Sequence, residues 1–405
     1  MAGAWRIGPY EVIFRIGWGG MAEVFVVWLK CEVGFQKLVA VKRIHPALAE
    51  EDRFTRMFLE EARVGAQLTG PHVVQTLDLG RDDAGVPYVV QELVVGIDLD
   101  YLRFAAEQRG RPLPRGVVVS ILIQAALGLH DAHEAIGTDG RPLGLVHRDV
   151  SPHNLVVGAD GRVRVTDFGI ARVVTDRLVE TETGVVKGKL AYLSPEQAEA
   201  AEIDRRSDVF ALGVVAWEIL SGQRLFSQES PAATLEAVKT MPVPHLADVV
   251  ADVPRPIADV VAHALERSPD ARLATARAFA DGLVAAAHDL APRPTELAVA
   301  ELVEDLSLPR LAQLRDRVRR ITQNPTIVTL PDLDAASPED DAATLLLGAG
   351  ETTSSVATRV RPPSIAATDW APRPIPRAWV GVLAVILGAA GIALGIAALV
   401  LLLSR

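Results

Sequence analysis

The hydrophobic periodicity of this chain switches near residue 98, and that switch constrains the fold more than any other feature. Before it, "YEVIFRIG", "AEVFVVWL" and "KLVAVKRI" are short runs rich in β-branched and aromatic residues, with a glycine cluster between the first two. "VVQTLDLG" and "PYVVQEL" continue the strand pattern. Only "EDRFTRMFLEEARVGAQL" interrupts it, placing Phe54, Met57, Phe58, Val64 and Leu68 at helical spacing. Beyond residue 98 helical patterns dominate, as in "GVVVSILIQAALGLHDAH" and "DVFALGVVAWEILSG". Strands and helices segregated in this way predict an α+β chain. It would have an antiparallel β lobe with one long helix, a larger α-helical lobe, and a cleft between them.

The globular pattern fades near residue 288. "APRPTELAVAELVEDLSLPRLAQLRDRVRRI" offers two short helices broken by Pro309, and the segment that follows is rich in Pro, Ser, Thr, Ala and Asp. Residues 288–377 are therefore expected to form a flexible linker with short helices. Residues 378–403 carry no charge. As a helix they would run about 39 Å, more than the roughly 30 Å hydrocarbon core, which predicts a transmembrane helix. Arg373 and Arg377 just before it suit a cytoplasmic approach, although Arg405 follows on the other side. The N-terminus, "MAGAWRIGPY", lacks the apolar core of a signal peptide. A net charge of −10 argues against nucleic acid as a partner, and the single cysteine, Cys31, excludes an intrachain disulfide.

Five short motifs carry chemistry. "GWGGMAEV" sets Gly17 and Gly19 in a turn between strands, where backbone N–H groups can approach phosphate oxygens; Ala22 stands where the full pattern has a third glycine. "VAVK" supplies Lys42 as a charge for the α- and β-phosphates, and "FLEEARV" offers Glu61 as its ion-pair partner, with Glu60 the adjacent alternative. "HRDVSPHN" contributes Asp149, to orient a hydroxyl and accept its proton, and Asn154; "DFG" contributes Asp167. Asn154 and Asp167 are expected to hold Mg²⁺, which neutralises charge on the phosphates of ATP.

Over residues 10–287 the chain resembles a eukaryotic-type protein kinase of the bacterial Ser/Thr branch, most closely at "GGMAEVF" and "LSPEQ". The resemblance implies a nucleotide cradle of Gly17, Gly19, Gly20, Ala22, Val24, Ala40, Lys42 and Glu61. It also implies a hinge at "QELV", with Gln91 at the gate and Glu92 to Val94 behind it. The activation segment would run from Asp167 to Ser194, Pro195 and Glu196, with Arg272 pairing Glu196 and Asp208 as the family's buried aspartate. Arg148 before Asp149 implies regulation by phosphorylation of that segment, at Thr175, Thr181 or, best placed, Thr183.

Two residues depart from the pattern within one site. Ser151 replaces the lysine that follows the catalytic aspartate, and Lys189 replaces the threonine of the "GT" that precedes the Pro-Glu motif, after Gly188. Either a hydroxyl and an ammonium have changed places, which makes Lys189 a candidate catalytic residue, or the two substitutions are unrelated and Lys189 faces solvent or substrate. These features together predict a protein kinase using ATP and Mg²⁺. It is expected to sit in the cell membrane through a single span, with its kinase domain cytoplasmic and protein substrates as partners; the resemblance also admits a homodimer. A pseudokinase scaffold is the main rival, opposed by the presence of Lys42, Asp149, Asn154 and Asp167. A small-molecule phosphotransferase is the third, opposed by the long activation segment.

Overall fold

Tyr10–Trp18 (β2) and Ala22–Lys30 (β3) form a tight antiparallel hairpin in which Gly17 pairs with Val24 and Trp18 with Glu23. Arg6–Ile7 (β1) flanks it on one side and Gln36–Ile44 (β4) on the other. Thr76–Arg81 (β5) and Pro87–Glu92 (β6) complete a six-stranded antiparallel sheet of order β1-β2-β3-β4-β6-β5. The computed structural model describes residues 5–307 apart from 20, 31–35, 169–184, 289 and 291–293. Gly20, Cys31, Thr175, Thr181, Thr183, most of the expected linker and the expected transmembrane segment 378–403 lie outside the described residues.

After the short turn Pro46–Ala49 (α1), the helix Asp52–Gly65 (α2) packs on this sheet. Its buried Phe54, Phe58 and Ala62 meet Ala22, Ile44, Val86 and Val89 with Met57 packed beside them, whereas Val64 and Leu68 of the expected face join a different cluster and Leu68 lies beyond the helix. Gly96–Asp98 (β7) begins the second lobe and pairs with Leu155–Gly158 (β8), which pairs in turn with Val163–Val165 (β9). Asp98 caps the helix Leu99–Gln108 (α3) by accepting a hydrogen bond from the Tyr101 N–H.

The core of this lobe is built on Arg115–His133 (α4) and Arg205–Ser221 (α7), both buried on nearly every face. Helix α4 is long and apolar enough to cross a membrane by composition, but 78% of its most apolar window is buried inside the lobe. Between these two helices come Val185–Leu190 (α5) and Pro195–Ala198 (α6), the latter started by a Ser194–Gln197 capping box. Pro231–Thr240 (α8), Leu246–Val249 (α9), Arg255–Ala264 (α10) and Ala276–Ala286 (α11) close the lobe.

One further helix, 296–307 (α12), lies in the stretch expected to be linker. Its Val299, Leu302, Val303 and Leu306 join the same core, and Arg109 donates to the carbonyls of Asp305 and Leu306. The folded body thus continues past residue 287.

Candidate active site

The β2–β3 turn lies over the cleft, and its amide network is short: the Gly19 N–H donates to the Ala22 carbonyl at 2.9 Å. Across β3, Val24 pairs with Lys42 on β4, so the lysine sits directly behind the turn. Lys42 Nζ reaches Glu61 Oε1 at 3.1 Å and Asp167 Oδ1 at 2.7 Å. Of the two adjacent glutamates, Glu61 faces the cleft and Glu60 is exposed. Burial works against the charge on Lys42, but the Asp167 and Glu61 carboxylates outweigh it and hold the ammonium above its ordinary range.

Beside this ion triad lies an apolar slot that spans both lobes. Val24, Ala40 and Val94 form one buried cluster with Val74 and Val156, and Ile16 and Leu93 pack against it. Val24 and Ala40 come from the sheet, Val94 from the connection between lobes, and Val156 from β8. Gln91 lines the space behind Lys42 together with Glu61, Thr166, Asp167 and Phe168. The Glu92 side chain turns away from the slot, accepting from the Gln75 N–H at 3.0 Å and facing Arg164 at 3.7 Å. The Glu92 N–H donates to the Gln75 carbonyl at 2.9 Å as well.

Sequence reading did not pick out Ile16, Val74 or Val156. A hydrophobic residue inside a strand carries no mark of which face it will show, although Val156, two positions after Asn154, had a positional signal.

The catalytic segment enters from α4 and is tied down by α7. Asp208, fully buried, accepts the backbone N–H groups of His147 at 2.7 Å and Arg148 at 2.8 Å, and pairs with His133 Nε2 at 2.7 Å. This anchorage holds Arg148 at φ 66°, a left-handed conformation that costs a non-glycine residue about 1–3 kcal/mol. The turn so formed presents Asp149. Asn154 donates from Nδ2 to the Asp149 carbonyl at 2.7 Å and to its Oδ2 at 3.2 Å. The Thr166 N–H donates to the Asn154 carbonyl at 3.0 Å. Leu155 pairs with Val165 in the β8–β9 hairpin, which carries Asn154 and Asp167 to the same end. One carboxylate and one amide oxygen are hard oxygen donors of the kind Mg²⁺ takes when phosphates and waters fill its remaining positions. The residues fit that ion.

Lys189, on α5, places Nζ 3.7 Å from Asp149 Oδ2. The Ser151 hydroxyl is buried and has no hydrogen-bond partner among the described residues. The geometry therefore brings the Lys189 ammonium to the Asp149 carboxylate and gives the Ser151 hydroxyl no such contact among the described residues. Glu196 and Arg272 form a buried pair at 2.8 Å, with Ser207 Oγ donating to the same carboxylate at 2.5 Å. This pair locks the end of the activation segment onto the helical lobe.

Comparison with known proteins agrees with this geometry. The protein kinase domain family matches residues 10–283. The tyrosine-protein kinase MasK of Myxococcus xanthus is 42% identical over 276 residues, covering 68% of this chain and 42% of its own length. The serine/threonine-protein kinase PknL of Mycobacterium tuberculosis is 36% identical over 282 residues, covering 70% of this chain and 66% of its own. The chain thus spans less than half of the first relative and about two thirds of the second. Among solved structures, the M. tuberculosis PknI kinase domain superposes with a TM-score of 0.53 at 28% identity, covering 71% of this chain and 99% of that domain. An ion triad, an anchored catalytic loop and a family match over two thirds of its length make this chain a member of the protein kinase family, among bacterial serine/threonine kinases.

Proposed function

We propose that this chain transfers the γ-phosphate of ATP to serine or threonine hydroxyls of protein substrates. The observation that carries the reading is the convergence of Lys42, Glu61 and Asp167 on one side of the cleft with Asp149, Asn154 and Lys189 on the other.

Phosphoryl transfer asks for positioning and for positive charge near the transferring group. Bound Mg²⁺ would supply charge that offsets the phosphates, held by Asp167 and Asn154. Lys42 would orient the α- and β-phosphates, and the apolar faces of Val24, Ala40 and Val156 would receive the purine. Asp149 Oδ2 would accept the proton of the acceptor hydroxyl as its oxygen bonds phosphorus and the bond to ADP breaks. Lys189 would stand beside the forming negative charge.

The membrane tether at residues 378–403, the cytoplasmic placement of the kinase domain, autophosphorylation at Thr183 and a homodimer extend the same reading. The uncharged 26-residue run supports the tether, and the position of Arg148 before Asp149 supports the regulation.

A peptide array with Mg-ATP tests the central reading, with Asp167→Ala as control. Phosphorylation undiminished in that variant would sink the site assignment, and no phosphorylation by the native chain would favour a scaffold. A second reading, transfer to tyrosine, draws on the tyrosine kinase name of the relative at 42% identity and on the missing lysine at Ser151. Phosphoamino-acid analysis of the labelled products separates the two. Removing residues 378–405 and following the protein through a salt-washed membrane pellet tests the tether.

A further inference from the structure

The tip of the β2–β3 hairpin is held by a group that the family motifs do not include. His45 follows β4 directly, three residues after Lys42, and its N–H donates to the Met21 carbonyl at 2.9 Å. Its Nε2 lies 2.5 Å from the carbonyl oxygen of Gly19. That oxygen can only accept, so Nε2 carries the proton. The other ring nitrogen, Nδ1, faces Glu23 Oε1 at 3.7 Å. The imidazole also lies against the Trp18 ring, with centroids 4.5 Å apart, and the Arg15 guanidinium covers that indole at 4.8 Å. Trp18 is 49% exposed, a large apolar side chain kept at the hairpin tip by this stack rather than by a core.

Strand alternation gives the arrangement its meaning. Residues 42 and 45 have opposite parity, so the side chain of Lys42 enters the cleft while that of His45 leaves from the other face. A peptide plane whose carbonyl is pinned on the far side cannot rotate that oxygen toward incoming phosphate. We propose that His45 is a positioning residue that holds the glycine turn in its phosphate-receiving orientation through the Gly19 carbonyl. Trp18 keeps the imidazole aligned. This inference rests on the proposed binding of ATP in the cleft and assigns a residue to it.

The test uses the full chain and three ligands: Mg-ATP, a non-hydrolysable Mg-ATP analogue, and adenosine. Adenosine occupies the apolar slot but has no phosphate for the turn to hold. His45→Phe keeps a ring against Trp18 and loses the donor, whereas His45→Gln keeps an N–H donor at similar reach. His45→Phe should weaken binding of the ATP analogue and raise KM for ATP by about three- to tenfold, the effect of one lost hydrogen bond. Adenosine affinity should not change, and His45→Gln should stay within about twofold of the native chain on both ligands. His45→Leu, read alongside, keeps the comparison decisive if the phenylalanine does not fold. Unchanged ATP affinity in the donorless variants, or equal losses for ATP and adenosine, overturns the assignment. If the native chain binds adenosine and Mg-ATP with no difference, the turn holds no phosphate and the proposal is refuted. If the native chain binds neither, the proposed nucleotide site itself is refuted.

Discussion

Replacing Lys189 by alanine is the perturbation that most directly tests the role proposed for this lysine beside Asp149. The pair Lys189 Nζ–Asp149 Oδ2 is 3.7 Å apart, and the lysine side chain is 18% exposed. At that distance two unit charges interact by about 1 kcal/mol under water-like screening and about 4 kcal/mol at an effective dielectric of about 20. Only the part realised at the transition state, where negative charge moves toward the acceptor, enters the rate. The expected fall in kcat is therefore about 10- to 1,000-fold, with about 10² as the central value. KM for ATP should move much less, because Lys42 and Asp167, paired with each other, stand on the phosphate side.

The assay is a double-mutant cycle on kcat/KM at saturating Mg²⁺, using Ser151→Lys, Lys189→Thr and the two combined. The Ser151 hydroxyl has no hydrogen-bond partner to lose among the described residues, so Ser151→Lys sacrifices little and returns a charge to the catalytic loop. The combined variant should exceed the product of the single effects, since a lysine at either position would supply charge to the same aspartate and residues serving one group couple non-additively. Near-native turnover in Lys189→Ala, or strict additivity in the cycle, would refute the reasoning and leave Lys189 as a surface charge.

Asp167→Ala should abolish nearly all transfer while leaving the melting temperature within a few degrees of native, which activity and a thermal melt read together. Glu196→Gln leaves Arg272 facing a neutral partner in a buried site and should cost about 3 kcal/mol at neutral pH by urea unfolding. Burial opposes the Glu196 charge, but hydrogen bonds from Arg272 and Ser207 outweigh it and hold its carboxyl below the ordinary range. The unfolded chain thus binds that proton more readily. The contribution is complete above the ordinary carboxylate range and is lost as pH falls through the folded value, so the penalty of Glu196→Gln should shrink in acid. A penalty that stays constant with pH would contradict the assignment. Ending the chain at residue 294 removes Val299, Leu302, Val303 and Leu306 from the core, each worth about 1.5–3 kcal/mol as an upper bound. Calorimetry should show a melting temperature at least about 5 °C below that of a chain ending at 307, and equal values would mean that α12 docks without stabilising.

Some of this protein is written in local pattern. Lys42 was legible because a lysine inside the apolar run "VAVK", one strand beyond the hairpin that carries the glycine turn, has few other reasons to be there. Asp149, Asn154 and Asp167 were legible because residues that converge on one phosphate must leave and re-enter the cleft at set chain lengths, and those lengths survive in the sequence. The placing of strands before helices was legible from periodicity, since periods of 2 and 3.6 are imposed by the backbone itself.

Other features depended on what meets what. Glu60 and Glu61 are identical side chains one residue apart, and only the rotation of α2 against the sheet, about 100° per residue, turned the second toward Lys42. Helix α12 lies in a stretch that the sequence offers as linker with short helices, and its burial became visible only in the folded lobe, where Val299, Leu302, Val303 and Leu306 join the core and Arg109 holds its last turn. Helix α4 is apolar enough for a bilayer, and the lobe packed around it decided that its solvent is protein. The sequence showed Ser151 and Lys189 as two departures from the family pattern. That the lysine found Asp149 while the hydroxyl found no partner among the described residues is a matter of distance, set by how the segment leading into Ser194 folds back over the catalytic loop.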